Sequence, residues 1–576
     1  MINARIWLRL SLIASGLLLA ADSLAADKPA TLVLRHGKVI TLDEATPTAT
    51  AIAVSGDRIV AVGSDDEIAR WIGDSTKVID CQNRLVIPGF IEGHAHFVSL
   101  GDSKLKLDLT TATSWEEIVA QVVESAKTTP PGTWIEGRGW HQSKWKQPPT
   151  NHVEGYPRTD DLSQAVPDHP VLLTHGTGHM SLANRKAMDL AGVTKESKDP
   201  RGGEILRDST GAPIGVFRET ASSPLYRALA RSQRDRPPQE VRDRMLACIR
   251  EASNECLRFG VTSFQDAGSS LAEVDLFREL ARDDRLPIRL WVMLNESNDV
   301  LASRLAAARV IGFGKDHLTV RGIKRMFDGA LGTHGAWMLE PYDDLPTSRG
   351  LNTLPIESLR QTAELAIRHD YQLCVHAIGD LANRETLNVM DAAFRTHPGK
   401  RDRRWRIEHA QHLHPLDIPR FGQLGVIASM QGNHATSDGP FVMQRLGELR
   451  TRTGAYAWHS LLEAGAVVIN GTDAPVETLN PLDSFYASVT RRLANGDEFV
   501  PEQCMTREQA LRSYTRDAAF AGFEEHLKGT LTPGKLADIV VLSQDILTIP
   551  SERIRETQVQ MTIIGGQLRY ERKQPL

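Results

Sequence analysis

A (β/α)₈ barrel carrying a small β-sandwich built from both chain ends is the α/β architecture this sequence predicts, and three patterns point to it. Short β-branched runs near the two ends read as strands, yet neither set is long enough to enclose a core by itself. The long middle alternates apolar strand-like runs with amphipathic helical stretches, and eight strands can be counted there. Ionisable residues recur where those middle strands end, on the rim where barrels of this kind do their chemistry.

With 576 residues and 41% hydrophobic content, the chain has material for two or three structural units around a large core. A net charge of -5, with no run of like charge, excludes a broad basic surface for nucleic acid. At the N-terminus, Arg5 and Arg9 precede an apolar stretch over 10–21, and Ser23-Leu24-Ala25 offers small residues for cleavage before Ala26. Residues 1–25 are therefore expected to be a signal peptide that is removed, leaving a periplasmic or secreted protein. A retained anchor would need roughly 20 apolar residues, and Asp22 interrupts the run. No later segment is long and apolar enough to span a bilayer. The five cysteines, Cys81, Cys248, Cys256, Cys374 and Cys504, are odd in number and lack a metal-binding pair spacing, so buried free thiols are expected.

Beyond the signal, residues 31–42, 51–62 and 77–86 read as strands broken by Gly-Lys, Gly-Asp and Gln-Asn turns. Similar runs return at 537–542 and 559–570, the second broken at Gly565-Gly566 like a hairpin. These are expected to pair into one sandwich, 26–87 with 529–576, flanking a barrel over 88–528. The barrel strands fall at 85–90, 260–265, 288–294, 322–327, 371–375, 404–407, 425–430 and 465–470. Helical patterns such as 239–258, 271–283, 356–369, 381–395 and 507–523 lie between or after them. One long gap, 100–238, is rich in Pro, Gly and Trp and is expected to be a lid inserted after the first strand, where it would cover the substrate. Its Trp134, Trp140 and Trp145 could line a pocket, with Trp140 the candidate substrate contact, or could form a satellite core.

His94-Ala95-His96 follows the first strand. Alternate side chains of extended backbone share a face, so both imidazoles can reach one metal. In a chain with 19 His such a pair is weak by itself. The ends of strands four, five, six and eight add Lys324, His376, His409 and Asp473, each metal-competent or able to become so, and ionisable groups there are costly to bury unless paired or metal-bound.

The motifs PGFIEGHAHF (88–97), WIEGRGW (134–140), GVTSFQDAG (260–268), the lysine strand (322–329), VHAIGD (375–380), RIEHAQ (406–411), GTDAP (471–475) and GTLTPGKLADIVVL (529–542) span nearly the whole mature chain. Together they resemble the amidohydrolase superfamily, in its family 3 branch of YtcJ-like and N-substituted formamide deformylase-like proteins. The resemblance implies that His94 and His96 bind the more buried metal and that His376 and His409 hold a second. It further implies that Lys324 bridges the two ions once carboxylated, and that Asp473 binds metal and moves protons. A desolvated lysine has a depressed pKa and can react as an amine, whereas an ammonium repels a metal. Left unmodified, Lys324 would pair with Asp328 or Asp473 beside a single ion. His179, in HGTGH (175–179), and His434, in MQGNH (430–434), resemble substrate-facing histidines of the branch. A lid turn and a solvated loop are their plainer roles. Gly432 stands where the branch has proline, so the loop after strand seven is expected to differ in shape.

The implied activity is hydrolysis of a non-peptide C–N bond, in an amide, formamide or cyclic amide of small size. The implied cofactor is a divalent metal, zinc by default, as one or two ions that lower the pKa of water and polarise the carbonyl. Asp473 would take the proton of the attacking water and deliver it to the leaving nitrogen. An ester or lactone would be attacked in the same way. A non-catalytic exported binding or regulatory protein on this scaffold is a reading of a different class, against which the complete ligand set argues. A homo-oligomer is compatible with the fold.

Overall fold

Eight parallel strands follow one another around the centre of the molecule: β1 (Phe90–Ala95), β2 (Val261–Ser269), β3 (Arg289–Leu294), β4 (Leu318–Met326), β5 (Gln372–Ala377), β6 (Arg406–His409), β7 (Ile427–Gln431) and β8 (Val468–Gly471). The structure, a computed structural model, describes residues 29–573 apart from 177–179, 201–202, 235 and 400–401, so the expected export signal lies outside the described residues. Each strand pairs with its predecessor, and β8 returns beside β1, where Asp473 N donates to His94 O at 2.7 Å. The result is a nearly closed barrel. Helices Leu271–Arg282, Asn298–Ala308, Ile356–His369 and Asp380–Thr396 follow β2 to β5 and pack outside, burying Phe277, Leu359 and Met390 with Val292, Val320, Val375 and Ile407 of the strands. Inside, alternate strand positions are polar: Arg406 bonds Gln265 Oε1, Gly93 O and Ser429 Oγ across the lumen.

The first barrel strand begins later than the expected 85–90. Leu85–Pro88 belongs to the sandwich, where it pairs with Ile539–Leu542 and Lys38–Ile40, and β1 starts only at Phe90. Both segments are buried along their whole length. A continuous apolar run carries no periodicity to mark where one sheet hands over to the next.

The sandwich has two sheets. One orders strands 58–63, 51–55, 32–35 and 77–80; the other orders 567–571, 559–564, 539–542, 85–88, 38–40 and 48–49, mixing the two chain ends. Ile539–Leu542 explains why the tail returns: Ile539 and Val541 face the sandwich core while Val540 and Leu542 join the barrel core. Arg289 at the foot of β3 grips Asp538 with two bonds of 2.7 and 3.0 Å, both side chains buried, so an ion pair pins the two units together. The hairpin at Gly565-Gly566 takes positive φ at both residues (54° and 71°), as a two-residue turn requires.

After β1, helix Phe97–Lys104 packs on helix Pro238–Arg258, so residue 100 falls inside a barrel-side helix. The inserted lid then forms its own six-stranded sheet, in the order 203–207, 213–219, 180–183, 171–175, 135–140 and 107–108. Trp140 and Trp145 lie in one hydrophobic core of the lid with Ile118 and Leu173, and Trp134 lies in another with Leu172 and Phe217. Among the described residues no helix is long and apolar enough to cross a membrane, and all five cysteines are free thiols.

Candidate metal centre

The barrel mouth gathers candidate ligands from the ends of β1, β4, β5, β6 and β8 and from the helix that follows β7. His94 is the last residue but one of β1, and His96 follows as the cap of the next helix. Asp473 lies two residues beyond β8, with its carboxylate 3.6 Å from His94 Nε2, 3.2 Å from His96 Nε2 and 3.8 Å from His434 Nε2. Two groups therefore share this one carboxylate, His94 with His96 and His409 with His434, each with ligand atoms within 4.8 Å of one another. His376, on β5, stacks edge-on against His409 with ring centroids 4.4 Å apart, and its Nε2 stands 3.4 Å from Asp328. Lys324, on β4, is buried with Nζ 3.3 Å from His94 Nε2.

Local backbone explains how side chains from a strand with a two-residue repeat all reach one point. Arg406 and Glu408 alternate onto the inner face of β6, which should send His409 outward. His409 instead has φ of 76°, and Asp473 beyond β8 has φ of 58°. Left-handed backbone at a non-glycine residue costs on the order of 1–3 kcal/mol, and here it turns both side chains into the mouth.

Hydrogen bonds fix which ring nitrogen each histidine presents. Glu408 takes His94 Nδ1 at 2.5 Å and Gln431 Oε1 takes His409 Nδ1 at 2.8 Å, leaving both Nε2 atoms for the centre. Burial opposes ionisation of Glu408, but buried Arg406 and the His94 ring overcome it and hold the carboxyl well below the usual range. Burial likewise pushes Asp473 up, and the surrounding His96, His94 and His434 rings reverse that and keep it ionised. Burial, with the Lys324 ammonium adding to it, brings His94 down to about 4 and His376 to about 3. Neutral imidazoles are what a metal binds. Burial also lowers Lys324 itself, against the attraction of Glu408 and Asp473.

The residues fit a divalent ion. His376 Nε2, His434 Nε2 and Asp473 Oδ1 are buried without a hydrogen-bond partner, a condition costly for polar atoms unless something else satisfies them. Several neutral imidazoles around one carboxylate suit zinc and its first-row neighbours.

The structure corrects the expectations in two places. His376 stands edge-on to His409, the pair the resemblance implies for a second metal, and His434, which also reaches Asp473, is buried at the start of helix Gly432–Gly454 instead of on a solvated loop. Trp140 is fully buried, its indole N–H donating to Leu173 O at 3.0 Å and its ring stacked 6.0 Å from Trp145, so it belongs to the lid core and not to a substrate wall. His179 lies outside the described residues. Sequence reasoning passed over Glu408, Gln431 and Gln411, which holds His434 Nδ1 at 3.0 Å; Asp328, expected only as a partner for an unmodified Lys324, accepts the amides of Trp337, Ile378 and Gly379. The two-residue repeat from Arg406 to Glu408, directly before His409, was the available signal for the first of these.

Comparison with known proteins agrees with this geometry. The chain is 31% identical to protein LONG AFTER FAR-RED 3 of Arabidopsis thaliana over 94% of its length and 92% of that protein. It is 26% identical to the N-substituted formamide deformylase of Arthrobacter pascens, covering 94% of this chain and 98% of that one. A crystal structure of an uncharacterized metal-dependent hydrolase from Pyrococcus furiosus superposes with a TM-score of 0.72 at 26% identity, covering 90% of this chain and all of that one (100%). The amidohydrolase family model matches residues 77–570, and with the barrel, the paired histidines and the shared carboxylate in view, this chain belongs to the amidohydrolase family.

Proposed function

We propose that this chain hydrolyses a C–N bond other than a peptide bond, in an amide, formamide or cyclic amide. His94, His96, Lys324, His376, His409 and Asp473 would hold the metal, as one ion or two. A bound divalent ion, zinc by default for this donor set, supplies Lewis-acid polarisation and makes water more acidic at neutral pH. The chain's own residues do the rest. Asp473 takes a proton from the attacking water onto a carboxylate oxygen and passes it to the leaving nitrogen, as general base and then general acid. His434, with its Nδ1 tied to Gln411, presents Nε2 to the substrate carbonyl oxygen.

The observation that carries this reading is Asp473: one ionised, buried carboxylate within reach of two histidine pairs. The formamide deformylase among its relatives favours a formamide as the first substrate to try. The test is turnover of zinc-loaded protein on matched formamide, amide, cyclic amide and ester panels, with products identified by mass spectrometry. Amine release from at least one C–N substrate, abolished by a chelator, is the expected result; hydrolysis confined to esters overturns the assignment.

Two finer points belong to the same reading. Burial of Lys324, which disfavours its ammonium form, supports uptake of carbon dioxide at its amine, and labelled bicarbonate followed by carbon NMR would reveal the carbamate; a metal-loaded protein without that signal rules it out. The basic, apolar and small-residue pattern of 1–25 supports export with cleavage after Ala25. N-terminal sequencing of protein recovered outside the cytoplasm checks it, and an intact Met1 refutes it.

A further inference from the structure

β1 and β8 are the two edges that must meet for the barrel to close, and among the described residues no ladder joins them. Two main-chain bonds cross this seam at its upper end, Asp473 N to His94 O at 2.7 Å and His96 N to Ala474 O at 2.8 Å. Below them the crossing is made by a side chain. Glu92, fully buried, accepts on Oε1 from the amides of His94 (3.1 Å) and Thr472 (2.8 Å), and on Oε2 from the Thr472 hydroxyl (3.0 Å). Glycines let the edges come this close: a Cβ on Gly471 would stand 2.5 Å from Glu92 Oε1, and one on Gly93 would stand 2.4 Å from the Asn470 carbonyl.

Both oxygens of Glu92 are therefore engaged by donors on the two strands that carry the shared carboxylate and its first histidine. Two of those donors are the amide of His94 itself and the amide of the residue before Asp473. The carboxylate stands where a ladder carbonyl would stand in an ordinary parallel pair. A side chain does this work only if its length matches the gap. Removing it would leave two buried amides and a hydroxyl without acceptors, and the ligand-bearing ends of β1 and β8 without a fixed spacing.

We propose that Glu92 is a positioning residue, not a metal ligand, and that it sets the distance between His94 and Asp473 by spanning the barrel seam. The inference rests on the reading that these two residues hold a metal. Because span and not charge is the operative property, Glu92→Gln, which keeps the length and the Oε1 acceptor, should function. Glu92→Asp, which keeps the charge but is one methylene short, should not.

The experiment titrates zinc alone into the metal-stripped full chain against a chromophoric chelator, with the unfolding temperature of the metal-free chain measured in parallel. Loss of a partner that orients ligands typically weakens metal binding about 10- to 100-fold. Glu92→Ala and Glu92→Asp are expected in that range, and Glu92→Gln within about threefold of the wild type. A lower unfolding temperature with wild-type zinc affinity would reveal a purely structural role and overturn the proposal. Rescue by Asp but not by Gln overturns it too, since charge would then be what matters. If Glu92→Ala does not fold, Thr472→Val removes only the hydroxyl bond: a drop of about fivefold or more in zinc affinity, beyond the range allowed for Glu92→Gln, supports the inference, and unchanged affinity sinks it. A wild-type chain that takes up no divalent ion fails the metal reading instead, which keeps the two failures distinct.

Discussion

Buried positions at the barrel mouth hold histidines, carboxylates and a lysine, whereas buried positions in the lid inserted after β1 hold tryptophan, valine, leucine and isoleucine. Each region is well packed, but for different ends. In the lid, Trp140 and Trp145 stack and the Trp140 indole finds a carbonyl, so apolar area is removed from water, although the indole N–H groups of Trp134 and Trp145 are buried without a partner. At the mouth the unpartnered atoms are imidazole nitrogens and a carboxylate oxygen, which can bind a metal, and three non-glycine residues, His409, Ala410 and Asp473, adopt left-handed backbone. A protein tolerates such a concentration of unfavourable terms where a ligand or a reaction repays them. The lid core supports shape; the mouth performs chemistry.

The comparison predicts that the two regions fail differently. Metal removal should have the largest effect: dialysis against a chelator is expected to abolish turnover and to lower stability by about 3 kcal/mol relative to protein held at a hundredfold excess of zinc over its dissociation constant. Both should return on adding zinc, and turnover that survives full metal loss, checked by elemental analysis, would break the distinction. Asp473→Asn comes next, with kcat expected to fall by about 10²- to 10⁴-fold, the span of a lost general acid–base group, while much of the zinc is retained. Trp140→Ala should do the reverse. It is expected to destabilise the lid by about 3–5 kcal/mol, the range for a large aromatic removed from a core, and to leave zinc stoichiometry unchanged. Hydrogen exchange mapped across 107–219 reads that local loosening; loss of zinc instead would place Trp140 at the mouth.

The same contrast explains what could be read from the sequence. The barrel was legible because β2 to β8 each carry a local signature, an apolar run flanked by an amphipathic helix, and because His94, Lys324, His376, His409 and Asp473 punctuate strand ends. The start of β1 was not, since 85–95 is buried throughout and switches sheets with no change in pattern. His434 was harder to place than His409, because its role depends on a helix start packing against Asp473, a contact that spans almost forty residues of chain. Trp140 could be read as apolar and clustered, yet which way an aromatic faces is decided by strands 171–175 and 180–183 pairing beside it, and no local pattern encodes that. Glu92 hid within the motif that flags the metal ligands. Its two-residue spacing puts it on the face of His94, but only the closed seam shows that its partners are two amides and the Thr472 hydroxyl.

Close to the mouth in sequence lies a polar group that no ligand role explains, and it offers a smaller and sharper test. His412, three residues after His409, is buried with neither ring nitrogen hydrogen-bonded and its ring edge-on to Tyr456, 5.4 Å away. Burial, with Arg450 nearby, brings its pKa down to about 3. In the unfolded chain an ordinary histidine titrates near 6.5. The folded value is the lower of the two, so the unfolded state binds the proton first, and stability present above pH 6.5 is lost progressively as pH falls toward 3. For this one residue the loss between pH 7.5 and 5 should be about 2 kcal/mol, measured by denaturant unfolding of the metal-free chain at each pH. His412→Leu should flatten that part of the profile while zinc binding at pH 7.5 stays as it was. If instead His412→Leu lowers zinc affinity, the ring belongs with the ligands and the boundary drawn here between the chemistry of the mouth and its supporting wall moves outward by one residue.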